Sequence, residues 1–238
     1  MNKRRNNNVY LLALMGLMIA IQFIFGFTPI GTIQTPFLTI TLMGIPVAII
    51  GCVFGPWMGL ASGTIWGIIS LIQAFTGMDA TAVLLQNCVV NGEISSGRYF
   101  TGLILMALVC RMAVGFLTGL IFDAISILDK KGYVAPFIAS MSTALLNTIL
   151  FMTTFCLFFY NTPVIPQLNL GTFTNPFTFV FAIIGINFIV EFITNGIVGG
   201  GCALGIKKAA DKIGLISPLP HFFVRKEEKA EAKIKNSI

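Results

Sequence analysis

Long apolar runs alternate with short polar stretches along the whole chain. A helix needs about 20 predominantly apolar residues to cross a bilayer. Runs of nearly that length or more predict six transmembrane helices: Val9–Phe27, Thr39–Phe54, Trp57–Phe75, Phe100–Phe122, Val134–Tyr160 and Phe177–Gly205. The second run is short, and the last two are long enough to tilt or to project from the membrane.

The polar stretches between these runs are too small to form a separate soluble domain. Only 10% of the 238 residues are charged, whereas a soluble domain carries about 25%. The sequence therefore predicts an all-α integral membrane protein. Residues 1–213 would form a single six-helix domain, and residues 214–238 a charged cytoplasmic tail.

Lysine and arginine are distributed unequally between the two ends of the predicted helices. With six spans, the basic groups at residues 3–5, 130–131 and 207–212 fall on one side. Basic residues collect on the cytoplasmic side of membrane proteins, so both termini are predicted to be cytoplasmic. The opposite loops, 28–38, 76–99 and 161–176, contain one basic residue, Arg98. Topology thus accounts for the net charge of +6 without nucleic-acid binding.

The second and third spans are predicted to form a hairpin with a tight turn at Gly55-Pro56. An extended segment near Thr39 and Thr41 comes before it. Glycine then recurs at every fourth position: Gly55, Gly59, Gly63 and Gly67. Such spacing lets another helix approach closely. A neighbouring stripe is polar and aromatic: Ser62, Trp66, Ser70 and Gln73. It is expected to face protein, water or a ligand, although helix packing alone also explains it.

The loop 76–99 is long for so compact a protein, which favours a functional role. Arg98 closes this loop, and its guanidinium suits a carboxylate ligand. Alternatively, Arg98 lies at the membrane–water interface or pairs with Glu93.

Asn147 and Asn187 lie at similar depth and could meet a ligand from outside or bond to each other. The candidate substrate-binding residues are Arg98, Asn147, Asn187, Trp66, Tyr99, Asn91, Gln73 and Phe151.

Two charged residues lie near the middle of their predicted helices. Arg111 and Glu191 would each be costly alone in the bilayer, so we expect them to pair or to share a polar network.

The first span carries three small residues on nearby faces, Ala13, Gly16 and Ala20. These residues could dock a partner helix or pack inside the bundle.

Several chemistries are missing from the sequence. It has no GxxxxGK[ST] phosphate-binding loop, and the single histidine, His221, has no catalytic companions. The five cysteines have no CxxC spacing. We therefore expect no enzyme activity, no metal and no cofactor in this chain. A stand-alone carrier or channel would need inverted repeats or a continuous polar path, and neither is visible.

Several of these stretches together resemble the substrate-binding S components of energy-coupling factor (ECF) vitamin transporters, over about residues 9–210. The residues that carry the resemblance are Ala13, Gly16, Ala20, Thr39-Ile40-Thr41, Ile45-Pro46-Val47, Phe54-Gly55-Pro56, Gly63 to Ser70, Arg111 with Gly115 and Gly119, and Ala144 to Thr148. The resemblance implies a six-helix protein of a prokaryotic plasma membrane that binds one vitamin near its outer face. It would work with a transmembrane T subunit, contacted through Ala13, Gly16 and Ala20, and with two cytoplasmic ATPases that bind ATP.

Within that family, Ile45-Pro46-Val47 and Leu145 to Thr148 look most like the pantothenate-specific members. Carriers of pyridoxine or hydroxymethylpyrimidine are similar in the same stretches. Arg98 could bind the pantothenate carboxylate, and Asn147 and Asn187 its other polar groups. Pyridoxine would instead stack on Trp66 or Tyr99 and would not need an arginine.

Overall fold

The computed structural model describes residues 3–29, 31–34, 39–129, 131–163 and 188–212. Its elements are α1 (Lys3–Phe27), β1 (Thr32–Gln34), β2 (Thr39–Thr41), α2 (Gly44–Phe54), α3 (Pro56–Phe75), α4 (Ala80–Val90), α5 (Ser96–Ile104), α6 (Cys110–Leu128), α7 (Ala135–Phe159) and α8 (Gly200–Lys212). Five-residue π-helical segments, Leu105–Val109 and Asn195–Gly199, precede α6 and α8. The predicted tail, 214–238, and the start of the sixth predicted span lie outside the described residues.

Four helices in the described part of the chain are long and apolar enough to cross a membrane. They are Pro56–Phe75, Ser96–Leu128, Ala135–Phe159 and Phe188–Ala209. The apolar part of α1, Leu12–Phe27, is shorter, as is α2. A multi-pass membrane protein is therefore supported, while six spans and cytoplasmic termini stay predictions.

The second predicted span, Thr39–Phe54, is not one continuous helix. Its first residues form β2, which pairs antiparallel with β1 so that Ile33 lies opposite Ile40. Strand pairing uses backbone groups that a helix would need, and α2 begins only at Gly44. Its 11 residues cover about 16 Å, which is too short for a bilayer core of about 30 Å. All of them are buried, as expected for a helix that is apolar on every side.

The predicted turn between the second and third spans is confirmed. Gly55 has a φ of 88°, a backbone conformation that is costly for residues with a Cβ. Pro56 is the first residue of α3, where its fixed φ suits a helix start and its missing N–H is not needed. The chain therefore reverses between α2 and α3 within one residue.

The glycine face of α3 packs directly on the backbone of α6. A Cβ added at Gly59 would collide with the carbonyl oxygen of Gly115, and one added at Gly63 with that of Arg111. At Gly67 the added Cβ would lie 2.8 Å from the carbonyl oxygen of Ala107. The recurring glycines thus serve helix packing, and they bring the α3 stripe that contains Trp66 and Ser70 close to Arg111.

The predicted outer loop 76–99 contains a helix. Asp79 begins α4 by accepting a hydrogen bond at Oδ1 from the Ala82 N–H, at 2.8 Å. The next helix begins at Ser96, four residues before the predicted start at Phe100. It continues through the π-helical segment Leu105–Val109 to Leu128. We call the end of the bundle where α4 lies the α4 end.

Candidate functional site

A recess lies at the α4 end, between α3, α4, the helix Ser96–Leu128 and α7. It contains about 330 Å³ of empty space, a figure that includes the solvent at its open side. The lining residues are Ser70, Ala74, Asp79, Thr81, Ala82, Leu85, Leu103, Met106, Ala107, Arg111 and Phe151. Most of these side chains are apolar, and two of them are charged.

Arg111 provides the positive charge of the recess. Its Cζ lies 5.1 Å from the ring centroid of Trp66 and 5.8 Å from that of Phe151. Contacts of this kind attract a cation to the ring face. Nη1 donates a hydrogen bond to the Met106 carbonyl oxygen at 2.8 Å. Nε is buried and has no hydrogen-bond partner among the described residues.

The π-helical segment Leu105–Val109 explains the contact between Arg111 and the backbone. The Cys110 N–H donates to the carbonyl oxygen of Leu105, five residues earlier. In an α-helix the same N–H would bind Met106, four residues earlier. The Met106 carbonyl oxygen is thus relieved of that bond and accepts from Arg111. Single π-helical turns inside α-helices are frequent at functional sites.

Asp79 provides the negative charge of the recess. Its side chain is partly exposed, and Oδ1 is used to cap α4. Within the described residues, no salt bridge of 4 Å or less joins Asp79 to Arg111, although both line the recess. The recess therefore has a cation and a carboxylate that are both partly exposed, with apolar walls from Leu85, Leu103 and Met106.

Glu191 anchors the short hairpin β1–β2 to the last helix. Its Oε1 accepts a hydrogen bond from the Thr41 N–H at 2.8 Å. One turn later, Asn195 Nδ2 donates to the Glu191 carbonyl oxygen, also at 2.8 Å. The side-chain oxygens of Asn147 and Asn195 are buried without partners. Glu191 and Asn195 thus form a second polar cluster, next to the hairpin residue Thr41.

The expected ion pair between Arg111 and Glu191 is not formed in the described residues. Arg111 donates to Met106 and Glu191 accepts from Thr41, and no salt bridge joins the two. Backbone groups freed by the π-helical segment and by the hairpin provide the polar partners instead. The sequence could not show this, because neither feature is visible in the apolar pattern.

Two of the predicted substrate-binding residues lie at or beside the recess. Phe151 lines it, and Trp66 contacts Arg111 while its own Nε1 is buried without a partner. Tyr99 is buried in the apolar cluster around Leu85 and Phe159. Asn147 is half-buried and has the unpartnered oxygen described above.

The other predicted site residues lie elsewhere. Arg98 is exposed, and its Nε donates to the Phe158 carbonyl oxygen at 2.5 Å, which ties α5 to α7. Gln73 donates to the Gly26 carbonyl oxygen at 2.6 Å and so joins α3 to the end of α1. Asn91 is exposed at the end of α4. Asn187 lies outside the described residues.

Sequence reasoning did not assign Asp79, Leu85, Leu103 or Met106 to the site, and it gave Arg111 a structural role. Asp79 could have been found, because it precedes a helix-compatible apolar stretch in an outer loop that holds only one other acid. Leu85, Leu103 and Met106 have no such signal. Their position depends on how α4 folds over the bundle.

The three small residues of α1 lie on its exposed face. Ala13, Gly16 and Ala20 are all exposed, and a Cβ added at Gly16 would meet nothing within 4 Å. Apolar neighbours on α1 are exposed as well, with Leu12 at 73% and Leu17 at 55%. We call this surface the α1 outer face. Packing within the described bundle does not account for it.

The opposite face of α1 attaches the helix to α3. Gln22 is fully buried, and its Nε2 donates to Ser62 Oγ at 3.0 Å and to the Ser62 carbonyl oxygen at 3.3 Å. A side chain of this kind fixes which face of α1 points inward. The α1 outer face is thereby held away from the bundle.

Comparison with known proteins identifies the family of the chain. No curated protein matches it closely enough to count as a relative. Residues 11–199 match the family described as "ECF transporter, substrate-specific component". This match covers most of the chain, including most of α1, the recess and the Glu191 contacts. The chain belongs to the substrate-specific components of ECF transporters.

Proposed function

We propose that this chain binds pantothenate from outside the cell for ATP-driven uptake. Membership of the family supports a vitamin-binding component. The observation that favours pantothenate is the half-buried cation of Arg111, which lines the recess and which no salt bridge neutralises among the described residues. Pantothenate has a carboxylate, an amide and two hydroxyls, and it can use both a cation and hydrogen-bond acceptors.

Partners are proposed on the basis of the family and of the α1 outer face. A transmembrane T subunit would contact Ala13, Gly16 and Ala20, where small residues allow close helix approach. Two cytoplasmic ATPases would hold the ATP, and we assign no catalytic residue and no cofactor to this chain. The complex would lie in the plasma membrane of a prokaryote, with the α4 end facing outward and both termini inside.

Pyridoxine or hydroxymethylpyrimidine is the second candidate substrate. Both are aromatic, and neither has a carboxylate to match Arg111. The face of Trp66 that could stack on such a ring is close to the Arg111 guanidinium. The recess therefore favours an acid over a neutral aromatic vitamin. A stand-alone carrier is less well supported, because the sequence shows neither inverted repeats nor a continuous polar path.

Mass spectrometry of the small molecule that copurifies with the chain tests this proposal. The chain would be purified in mild detergent from cells supplied with pantothenate, pyridoxine and hydroxymethylpyrimidine at equal concentrations. We expect the mass of pantothenate in the released fraction. An unrelated membrane protein purified in the same way controls for carry-over. Enrichment of pyridoxine or hydroxymethylpyrimidine instead would move the assignment to the second candidate.

A further inference from the structure

We propose that the end of the bundle opposite the recess binds the headgroup of an anionic phospholipid, through Lys208, Lys131 and Tyr133. The ligand class is a phosphodiester with one negative charge that is attached to acyl chains. We call the surface formed by Leu128, Lys131, Tyr133, Val134 and Lys208 the basic end. The inference goes beyond the proposed function and does not depend on which vitamin the recess binds.

The basic end lies where three membrane-spanning helices reach the membrane boundary. Ser96–Leu128 ends there, Ala135–Phe159 begins there, and Phe188–Ala209 ends there. Leu128 is about 26 Å along its helix from Arg111 of the recess, at 1.5 Å per residue. The hydrocarbon core of a bilayer is about 30 Å thick. The loop between α6 and α7 and the end of α8 therefore lie at the level of lipid headgroups.

Lys208 is held at this surface by an aromatic ring. Its Nζ lies 3.7 Å from the ring centroid of Tyr133, a cation–π contact that ties α8 to the loop between α6 and α7. Both side chains are exposed, Tyr133 at 49%, and tyrosine is typical of the membrane–water interface. Among the described residues no oxygen accepts a hydrogen bond from Lys208, so its three N–H donors are available to a phosphate.

Positive charge at the basic end exceeds negative charge. Residues 123–133 and 207–212 contain three aspartates and five lysines, the latter at positions 130, 131, 207, 208 and 212. Asp123 is fully buried, and the Asp129 carboxylate accepts three backbone N–H bonds at the start of α7. Even if each aspartate neutralised one lysine, two positive charges would remain. This surface therefore attracts an anion.

Lys207, the neighbour of Lys208, has a different environment. It is half-buried, and its Nζ lies 4.8 Å from the ring centroid of Phe122, a fully buried residue of α6. Lys207 therefore attaches α8 to α6, and we do not assign it to the headgroup. Lys131 is exposed two residues before Tyr133 in the same loop, so Lys131 and Lys208 are the cations that a headgroup can reach.

Apolar side chains beside these lysines favour a lipid over a soluble anion. Leu128 is 83% exposed, Val134 52% and Ile138 43%. Free phosphate would leave these side chains in contact with water, which is unfavourable for apolar surface. The acyl chains of a phospholipid would cover them while its phosphate contacts the lysines. Charge and apolar surface together thus match an anionic phospholipid.

Binding of phosphatidylglycerol and of phosphatidylcholine with the same acyl chains tests the assignment. Native mass spectrometry of the full-length chain in mild detergent would give an apparent Kd for each lipid. One lysine near an anionic headgroup changes affinity about fivefold, so the wild type should prefer phosphatidylglycerol about twentyfold. Lys208→Gln should reduce the preference to about fivefold. The double variant Lys131→Gln, Lys208→Gln should bind the two lipids equally.

Two further variants separate charge from other effects. Lys208→Arg keeps the cation and suits a phosphate, so it should keep the preference. Arg98→Gln is the matched control, because it removes an exposed cation at the α4 end, and it should behave as the wild type. Thermal unfolding shows which variants are folded. If Lys208→Gln is not folded, Lys131→Gln alone should lower the preference about fivefold.

Equal binding of the two lipids by the wild type would overturn the inference. An equal loss of preference in Arg98→Gln and Lys208→Gln would also overturn it, because any cation would then have the same effect. Displacement of phosphatidylglycerol by excess inorganic phosphate at constant ionic strength would assign the site to free phosphate instead.

A protein partner is the other possible occupant of the basic end. If Lys208→Gln keeps the lipid preference but no longer copurifies with the T subunit and the ATPases, the basic end docks a protein and the inference is wrong. The identity of the copurifying vitamin affects none of these results. Failure of the proposed function and failure of this inference are therefore distinguishable.

Discussion

Asp129 holds the start of α7 through its carboxylate. Oδ1 accepts from the Gly132 N–H at 3.0 Å, and Oδ2 accepts from the N–H groups of Val134 and Ala135 at 2.5 and 2.9 Å. Pro136, the next residue, has no N–H to offer. Together these bonds lower the pKa of the Asp129 carboxyl below its usual value, with the bond from Ala135 as the largest cause.

The lowered pKa gives the Asp129 contacts a defined pH dependence. Their stabilisation is present above the unfolded pKa, about 3.9, and is lost as the pH falls through the lower folded value. Asp129→Ala should therefore unfold at a lower temperature than the wild type at neutral pH. The difference should begin to shrink below about pH 4 and should vanish once the pH is below the folded pKa of Asp129. Thermal unfolding in detergent across this range measures the difference.

Lys131→Ala is the control, because it removes an exposed charged side chain from the same loop and leaves the carboxylate in place. Its unfolding temperature should follow that of the wild type. A difference between Asp129→Ala and the wild type that does not change with pH would show that the carboxylate charge does not matter.

The two arginines at the α4 end show what sequence could predict for single residues. The sequence marked both Arg98 and Arg111 as unusual, because neither position is explained by topology. It could not tell which one had a free donor. Arg98 donates to a carbonyl oxygen 60 residues away in the sequence. The hydrogen bond of Arg111 depends on the π-helical segment Leu105–Val109, which the amino-acid sequence does not predict.

At the scale of elements, the glycine spacing of α3 lets its backbone pack directly against the backbone of α6. Gly59 and Gly63 face the carbonyl groups of Gly115 and Arg111. Because Gly63 touches the backbone of Arg111, this contact also fixes the depth at which the guanidinium lies. Packing and binding are thus linked in one pair of helices.

Gly63→Ala should destabilise the protein and weaken acid binding. The added methyl would collide with the Arg111 carbonyl oxygen, and overpacking of this kind costs about 1–3 kcal/mol. Gly16→Ala is the matched control, since an added Cβ there meets nothing within 4 Å, and Ala favours a helix by up to about 1 kcal/mol over Gly. Thermal unfolding of both variants tests the contact. Equal stability of the two would contradict it.

The α1 outer face gives a prediction about transport that is separate from binding. Ala20→Leu should strongly reduce uptake by the complete transporter, because a larger side chain prevents close approach of the T subunit. Vitamin binding by the purified chain should stay at the wild-type level. Paired uptake and binding assays measure the two effects.

Ala124→Leu is the control for this prediction, since Ala124 is exposed on α6 and lies outside the α1 outer face. It should change neither uptake nor binding. A large loss of binding in Ala20→Leu would indicate that the α1 outer face supports the fold of the chain and does not dock a partner.

Elements were predicted well where a local signal exists. Gly55-Pro56 marks its turn, and the extended residues near Thr39 and Thr41 are a strand. The length of α2 was predicted wrongly, because an apolar run does not distinguish a buried strand and short helix from a membrane span. The helix α4 was missed, because a short helix that folds over other elements has no membrane-span signal.

At the scale of the whole molecule, the recess is built from elements that are far apart in sequence. Ser70, Asp79, Met106, Arg111 and Phe151 come from three separate helices and the start of a fourth, α4. The sequence predicted the membrane class and, by resemblance, the family that residues 11–199 match. It did not predict this arrangement, since its geometry depends on the glycine contact and on the position of α4.

Under the proposed function, the chain captures a vitamin but needs its partner subunits and ATP to move it across the membrane. ATP-dependent accumulation of labelled pantothenate in sealed vesicles tests this claim most directly. Vesicles would contain the chain with its T subunit and ATPases, the chain alone, or the partners alone. We predict accumulation only with the complete set and ATP. Accumulation by the chain alone, or by the complete set without ATP, would contradict the account.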